Sequence, residues 1–152
     1  AVQRACHCQH ELVSVLHFDT PTSRDLDPTP LHRRHRHQIQ DALQVPADGA
    51  GQSLLGPSLT KATRLFDQHP DHHPILCLLS DFQLFDPNLP ALYQTLAGFP
   101  GDVHAVVLRA EPPPQLLNQA AITVTRIGYQ DPPGALAQAV FAALTSHRRQ
   151  RR

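Results

Sequence analysis

Hydroxyl and carboxylate side chains follow or precede several apolar runs of this sequence, where they could hold a cation or move a proton. Asp19, Ser80 and Asp81 each come directly after an apolar run, and a loop before Gly56 leads into an amphipathic segment. Carboxylate and hydroxyl oxygens suit Mg²⁺, and an Asp at the end of a strand can instead act as a general base. These positions single out Asp19, Ser80, Asp81 and the loop before Gly56 as candidates for chemistry.

Asp81 also has a purely structural interpretation. An Asp after a strand commonly accepts backbone N–H groups and so caps the loop or helix that follows. Its position at a strand end keeps a ligand interpretation open as well.

Other clusters of polar residues fit ordinary structural positions better. Cys6-His7-Cys8 with His10 lacks a second ligand pair at zinc spacing, so the cluster is expected to be incidental rather than a metal site. Residues 32–37 (HRRHRH) form a basic run without aromatics, which predicts a solvated helix face rather than a surface for nucleic acid. The histidines of residues 69–74 are expected in a polar loop.

Hydrophobic periodicity places these residues on alternating strands and helices. Strands are predicted at residues 11–18, around Arg24–Leu26, and at 75–79, 103–108 and 122–127. One helix is predicted with Ile39 and Leu43 on a common face, and others along Leu55, Leu59, Ala62, Leu65 and Phe66, at Leu89–Ala97 and at 133–147. The alternation predicts an α/β fold: a doubly wound, mostly parallel sheet with helices on both faces, and with the 75–79 strand covered on both sides. Ligands of such sheets bind at the carboxyl ends of the strands.

Three pieces of the chain together carry a family resemblance. They are the strand end Phe18-Asp19, the loop at residues 49–59 (GAGQSLLGPSL) that opens a helix, and the strand end at residues 78–82 (LLSDF). This set resembles the von Willebrand factor type A (vWA) family, in which a Gly-Thr-x-Leu-Gly loop introduces a helix and the next strand ends in Leu-Leu-Ser/Thr-Asp-Gly. The resemblance runs from a helix remnant at residues 1–9 to the helix at 133–147.

The resemblance implies a partial metal-ion-dependent adhesion site (MIDAS). The family builds this site from an Asp-x-Ser-x-Ser turn after its first strand, the loop Thr and the strand-end Asp; Ser53 stands at the Thr position and Asp81 at the Asp position. The family's first strand, which is central in its sheet, and the acidic turn would lie before Ala1. Phe82 replaces the usual Gly after the Asp. Mg²⁺ is therefore expected only if the absent motif is restored, with Ser53 and Asp81 as its ligands in this chain.

Composition bounds the remaining possibilities. The 152 residues, 41% of them hydrophobic, suffice for one domain, predicted at 1–147 with a basic tail at 148–152. The formal net charge of zero argues against a dedicated polyanion binder. No run is long enough to span a membrane, and three Cys with no obvious pairing indicate a reducing, cytoplasmic setting. The absence of Met, with Ala as first residue, indicates that the natural N-terminus is missing.

The sequence predicts a non-enzymatic, vWA-like interaction domain that binds a protein partner at the carboxyl edge of its sheet. Elbow, phosphate-loop and dinucleotide-binding signatures are missing from the sequence. The alternative is a doubly wound, metal-dependent hydrolase or phosphotransferase that uses Asp81. In that case Asp19 and Asp86 are the other acidic candidates, although Asp86 is expected to begin the next helix.

Overall fold

The computed structural model describes residues 11–18, 25–44 and 53–150, with side chains described as far as Thr145. Contacts between Cα atoms divide the chain into two compact units, here called the N-terminal unit (residues 1–65) and the C-terminal unit (residues 66–152). This division does not test the prediction of a single domain over residues 1–147, which stays a prediction.

An antiparallel strand pair opens the N-terminal unit. Strand β1 (Leu12–Val15) pairs with β2 (Leu26–Pro30), with Val13 opposite Thr29 and Val15 opposite Leu26. The register shifts between Val13 and Val15, and the hydroxyl of Ser14 donates to the Leu26 carbonyl at 2.7 Å. β1 is shorter than the strand predicted at 11–18. β2 begins where the strand predicted around Arg24–Leu26 was to end, and Arg24 lies outside the described residues.

A small apolar cluster holds this strand pair to a short helix. A 3-10 turn at Arg33–His35 leads into α1 (Arg36–Ala42), whose Ile39 and Ala42 are buried with Leu26. Leu43, which was predicted on a common face with Ile39, follows the helix as its C-terminal cap, and its N–H donates to the Ile39 carbonyl at 3.1 Å. Its side chain is 61% exposed, so it is not part of the buried cluster.

The longer helix α2 (Leu55–Asp67) follows the pattern that the sequence predicted. Leu55 and Leu59 are 2% and 3% exposed, while Ala62, Leu65 and Phe66 are half-buried. The apolar positions recur every three or four residues, so they form one stripe of the helix.

Three parallel strands form the sheet of the C-terminal unit. The strands are β3 (Ile75–Ser80), β4 (Asp102–Leu108) and β5 (Ile122–Ile127), in the spatial order β3-β4-β5. Leu78 lies opposite Ala105, and Ala105 lies opposite Val124. The chain therefore has a mixed α/β fold with a parallel sheet and helices, as predicted.

The central strand β4 has the environment that was predicted for β3. Its consecutive residues Ala105, Val106 and Val107 are at most 1% exposed, so both of its faces are covered. In β3 only Leu78 is fully buried, and Leu79 is 38% exposed. The prediction of a strand covered on both faces at 75–79 is wrong because the face that carries Leu79 is open to solvent in the described part of the chain.

Three helices accompany the sheet: α3 (Leu89–Ala97), α4 (Pro114–Leu117) and α5 (Ala135–Gln150). The side chain of Asn88 caps α3 by accepting from the Ala91 N–H at 3.1 Å, and Pro90 sits in the first turn, where its missing N–H is harmless. Asp86 therefore lies before the cap and does not begin the helix. Helix α4, which is a single turn, was not predicted from the sequence.

Close backbone packing marks the entry to β4. The Asp102 N–H donates to the Pro74 carbonyl at 3.1 Å, and a Cβ added at Gly101 would stand 2.1 Å from that oxygen. No side chain fits at Gly101, so glycine is required for the first residues of β3 and β4 to lie in register.

Among the described helices, none has both the length and the apolar character needed to cross a membrane.

Candidate functional site

Asp81 lies at the carboxyl end of β3 in a tight polar turn. Its Oδ1 accepts from the Gln83 N–H at 3.0 Å, and the Ser80 hydroxyl accepts from the Phe82 N–H at 2.9 Å. Phe82 adopts a left-handed backbone conformation (φ 59°) although its ring is buried. Burial of that ring holds the strained turn in place, which leaves the Asp81 side chain exposed to solvent.

A second strained residue lies at the carboxyl end of β4. Arg109 has φ 58°, and its N–H donates to the Ile127 carbonyl at 2.7 Å. The Arg109 guanidinium stands over the ring of Tyr129, 5.1 Å from its centroid, which is cation–π geometry. Tyr129 is 77% exposed, so this pair presents a flat aromatic and cationic surface to solvent.

The loop after β5 completes this edge of the sheet. The Asp131 carboxylate accepts from the Gly128 N–H at 2.6 Å and so closes the turn that carries Tyr129. The turn leads through Gly134, with φ 93°, into α5.

These three strand ends and the start of α5 enclose an open crevice of about 690 Å³. Its lining brings together a carboxylate (Asp81), a guanidinium (Arg109), an exposed ring (Tyr129) and an apolar side chain (Leu136). The crevice lies where ligands of open parallel sheets bind. Its mixture of aromatic, charged and apolar groups is typical of surfaces that bind another protein.

Ser53, the other predicted metal ligand, lies in the N-terminal unit. It is half-buried just before α2, where the Leu54 N–H donates to the Phe18 carbonyl at 2.7 Å. The Ser58 hydroxyl also donates to the carbonyl of His17, at 2.9 Å, so the start of α2 is tied to the segment after β1. Because Asp81 belongs to the C-terminal unit, the joining of Ser53 and Asp81 in one metal site stays a prediction.

Several other predicted candidates lie outside the described residues: Asp19, the Cys6–Cys8 cluster with His10, and the glycines at 49 and 51. Within the described ranges, no group of three or more His, Cys, Asp or Glu side chains is placed to hold a metal ion. The loop predicted at residues 69–74 is present, and Nε2 of its His73 lies 3.2 Å from Oδ2 of Asp102.

The N-terminal unit contains an ion-pair cluster that was not predicted from the sequence. Asp25 accepts from Nζ of Lys61 at 2.8 Å and from the His17 N–H at 2.9 Å, and Nδ1 of His17 lies 3.6 Å from its carboxylate. Burial alone would raise the pKa of Asp25, but the hydrogen bonds from Lys61 and His17 outweigh it, so the pKa lies below its ordinary value. The cluster ties the residue before β2 to α2.

The sequence also missed Arg109, Tyr129 and Asp131 as members of the candidate site. A usable signal was present, because all three come within four residues after the predicted strands at 103–108 and 122–127. The strand-end rule that selected Asp81 selects them as well.

Comparison of the chain with protein-family models, with curated proteins and with solved structures gives no significant match.

Proposed function

We propose that the chain is a non-enzymatic, vWA-like interaction domain that binds a protein partner at the carboxyl edge of its parallel sheet. The observation that carries the proposal is the crevice formed by Asp81, the Arg109–Tyr129 pair and the start of α5. Exposed Tyr and Arg side chains are enriched among the residues that dominate protein–protein binding energies.

The backbone of Phe82 supports the vWA resemblance at a position where the sequence departs from it. The family has Gly after the strand-end Asp, and Phe82 adopts the left-handed conformation that glycine takes at little cost. Phe82 therefore differs from the family's Gly in residue type but has the backbone geometry for which glycine is suited.

The parallel sheet of the C-terminal unit supports the same proposal. Its strands β3, β4 and β5 are parallel neighbours accompanied by helices, as in a Rossmann-like α/β fold. Under this proposal the complete sheet is doubly wound, with helices on both faces.

The donor set of the described residues does not fit a self-sufficient Mg²⁺ site. Mg²⁺ demands near-octahedral oxygen coordination, whereas the resemblance provides one hydroxyl (Ser53) and one carboxylate (Asp81). One oxygen of that carboxylate already accepts from Gln83. Metal dependence therefore belongs to the proposal only together with an Asp-x-Ser-x-Ser turn supplied from upstream sequence.

Selection of binders from a random peptide display library tests the proposal, with the wild-type chain as immobilised target. We expect selected peptides to lose at least about tenfold in affinity on Tyr129→Ala and on Arg109→Ala, because an aromatic–Arg anchor commonly contributes more than 1.4 kcal/mol. Arg126→Ala is the matched control, since Arg126 is also an exposed arginine beside this edge but pairs with Glu111 at 2.5 Å.

Peptides whose affinity falls on Arg126→Ala but not on Tyr129→Ala would contradict the proposed site. A parallel assay with p-nitrophenyl phosphate and p-nitrophenyl acetate addresses catalysis. Turnover of either substrate that disappears on Asp81→Ala would favour the hydrolase or phosphotransferase alternative and overturn the non-enzymatic proposal.

A further inference from the structure

A compact group of exposed arginines lies in the N-terminal unit, on a surface that the proposed function does not use. Residues His32–His37, here called the basic segment, form the 3-10 turn and the start of α1. Arg33, Arg34 and Arg36 are all exposed, and the ring of His32 accepts from the Arg34 N–H at 3.3 Å. That contact fixes the backbone from which the arginines project.

Acidic neighbours do not neutralise these arginines within the described residues. No described carboxylate forms an ion pair with Arg33, Arg34 or Arg36, whereas Lys61 pairs with two carboxylates and Arg126 with one. The positions four residues further along, where a carboxylate would compensate each arginine on a helix, hold His37, Gln38 and Gln40. Three positive charges are therefore gathered in four residues with no ion-paired carboxylate among the described residues.

This concentration of charge is unfavourable for the chain by itself. The basic residues precede or begin α1, and its first turn holds no acidic residue. Like charges gathered within four residues repel one another. An anionic partner would remove that repulsion, so the segment is suited to bind one.

We propose that the basic segment binds a phosphorylated segment of a partner protein. The guanidinium groups of Arg33, Arg34 and Arg36 would donate paired N–H groups to phosphoryl oxygens, a geometry for which arginine is suited. Clusters of arginines are a recurrent means of recognising phosphorylated peptides. Leu31 directly precedes the basic segment and is 41% exposed, so it offers an apolar contact for the neighbouring residues of such a peptide.

The size of the basic segment favours a phosphorylated peptide over larger polyanions. Arg33 and Arg36 are roughly 6 Å apart along the helix axis. Arginines at this spacing can contact one phosphoryl group, or two on the same short peptide. Binding to a nucleic acid duplex ordinarily uses about 6 to 10 phosphate contacts, and the basic segment contains no aromatic residue for stacking. Recognition of anionic membranes uses clusters of about 4 to 8 Lys or Arg, more than the three arginines present.

Fluorescence anisotropy with a short labelled peptide carrying two phosphoserines tests the proposal, alongside the same peptide without phosphate. We expect the intact chain to bind the phosphorylated peptide and to bind the unphosphorylated one at least tenfold more weakly, on the order expected for lost charge-assisted hydrogen bonds. The triple variant Arg33→Gln/Arg34→Gln/Arg36→Gln should lose the same factor, and binding should weaken as salt is raised.

A charge-matched control separates the basic segment from general attraction to phosphate. The variant Arg148→Gln/Arg149→Gln/Arg151→Gln removes the same charge from the end of α5 and the residue after it, and it should retain wild-type affinity. Circular dichroism melts of both variants check that the fold is kept. An equal loss in the tail variant, an absence of binding to the phosphorylated peptide, or tighter binding to a DNA duplex or to phosphatidylserine vesicles would each overturn the proposal. These outcomes leave the crevice at Tyr129 untouched, so the two proposed sites fail independently.

Discussion

At the scale of single residues, the structure stores backbone strain at two strand ends. Phe82 and Arg109 both adopt left-handed conformations, which cost a non-glycine residue about 1–2 kcal/mol. Phe82 compensates through its buried ring, while Arg109 is exposed and has the ring of Tyr129 as its contact. Backbone strain at an exposed residue is typical of positions that serve binding. Relieving the strain at Arg109 should therefore raise stability, whereas removing its side chain should weaken binding of a partner.

The first prediction concerns the strain at Arg109. Arg109→Gly should be more stable than Arg109→Ala by about 1 kcal/mol, because glycine removes the left-handed penalty while both changes delete the same contact with Tyr129. Thermal unfolding followed by circular dichroism should show a difference of about 2–4 °C in Tm. Equal melting temperatures would mean that the backbone at residue 109 is not strained in solution.

The second prediction concerns the charge of Asp25. Asp25→Asn should lower the free energy of unfolding at pH 7 by about 1 kcal/mol, because it removes the ion pair with Lys61. The pKa of Asp25 lies below its ordinary value of 3.8 in the folded chain, so its contribution is present above that value and disappears as pH falls further, when the folded carboxyl takes up its proton.

Urea unfolding of both proteins at pH 7 and near pH 2–3 measures this dependence. The difference between wild type and Asp25→Asn should shrink on acidification. Asp27→Asn is the control: its side chain is 82% exposed and its Oδ1 lies 3.9 Å from Lys61, so it should have little effect at either pH. A difference that grows at low pH would contradict the assigned ion pair.

At the scale of elements, the register of β3 and β4 depends on the absence of a side chain at one position. Gly101→Ala should destabilise the chain by about 2–3 kcal/mol, because the new Cβ would meet the Pro74 backbone rather than a flexible side chain. Gly98→Ala is the matched control, since a Cβ there would have its nearest contacts at 3.5 and 3.6 Å, which is ordinary packing. Chemical denaturation should give Gly101→Ala a clearly lower midpoint than Gly98→Ala. Equal midpoints would show that the backbone around Gly101 can shift to accommodate a Cβ.

Elements with a strong local pattern could be predicted from the sequence, and those defined by long-range pairing could not. The bounds of α3 and β5 were predicted as Leu89–Ala97 and 122–127, because capping, helical spacing and β-branched runs are local signals. The antiparallel pairing of β1 with β2 and the outer position of β3 depend on which strands are neighbours in space. Local patterns along the sequence do not indicate which strands become neighbours.

The candidate site was predictable in part for the same reason. Asp81 was found because it follows an apolar run. Arg109 and Tyr129 follow such runs too, but their value comes from stacking between two strand ends, which is a tertiary contact. Residue type alone gave no reason to join an arginine after β4 to a tyrosine after β5.

At the scale of the whole molecule, the proposed relation to the vWA family can be tested through metal binding. Calorimetric titration of residues 1–152 with Mg²⁺ should give no saturable heat, because Ser53 and Asp81 supply too few oxygens. The same chain extended upstream by a first strand with an Asp-x-Ser-x-Ser turn should bind Mg²⁺, and Asp81→Ala in that longer chain should abolish the binding. Identical titrations for the longer chain and its Asp81→Ala variant would contradict the proposed site.

The chain contains two tyrosines and no tryptophan, and these tyrosines lie in opposite environments. Tyr93 is 1% exposed within α3, and burial raises its pKa, with a further contribution from Asp86. Tyr129 stands in the crevice and is 77% exposed. Near-ultraviolet absorption and quenching of tyrosine emission by a soluble quencher therefore give this protein a built-in optical reporter: the accessible signal comes from the crevice, and occupancy by a partner can be followed without a label.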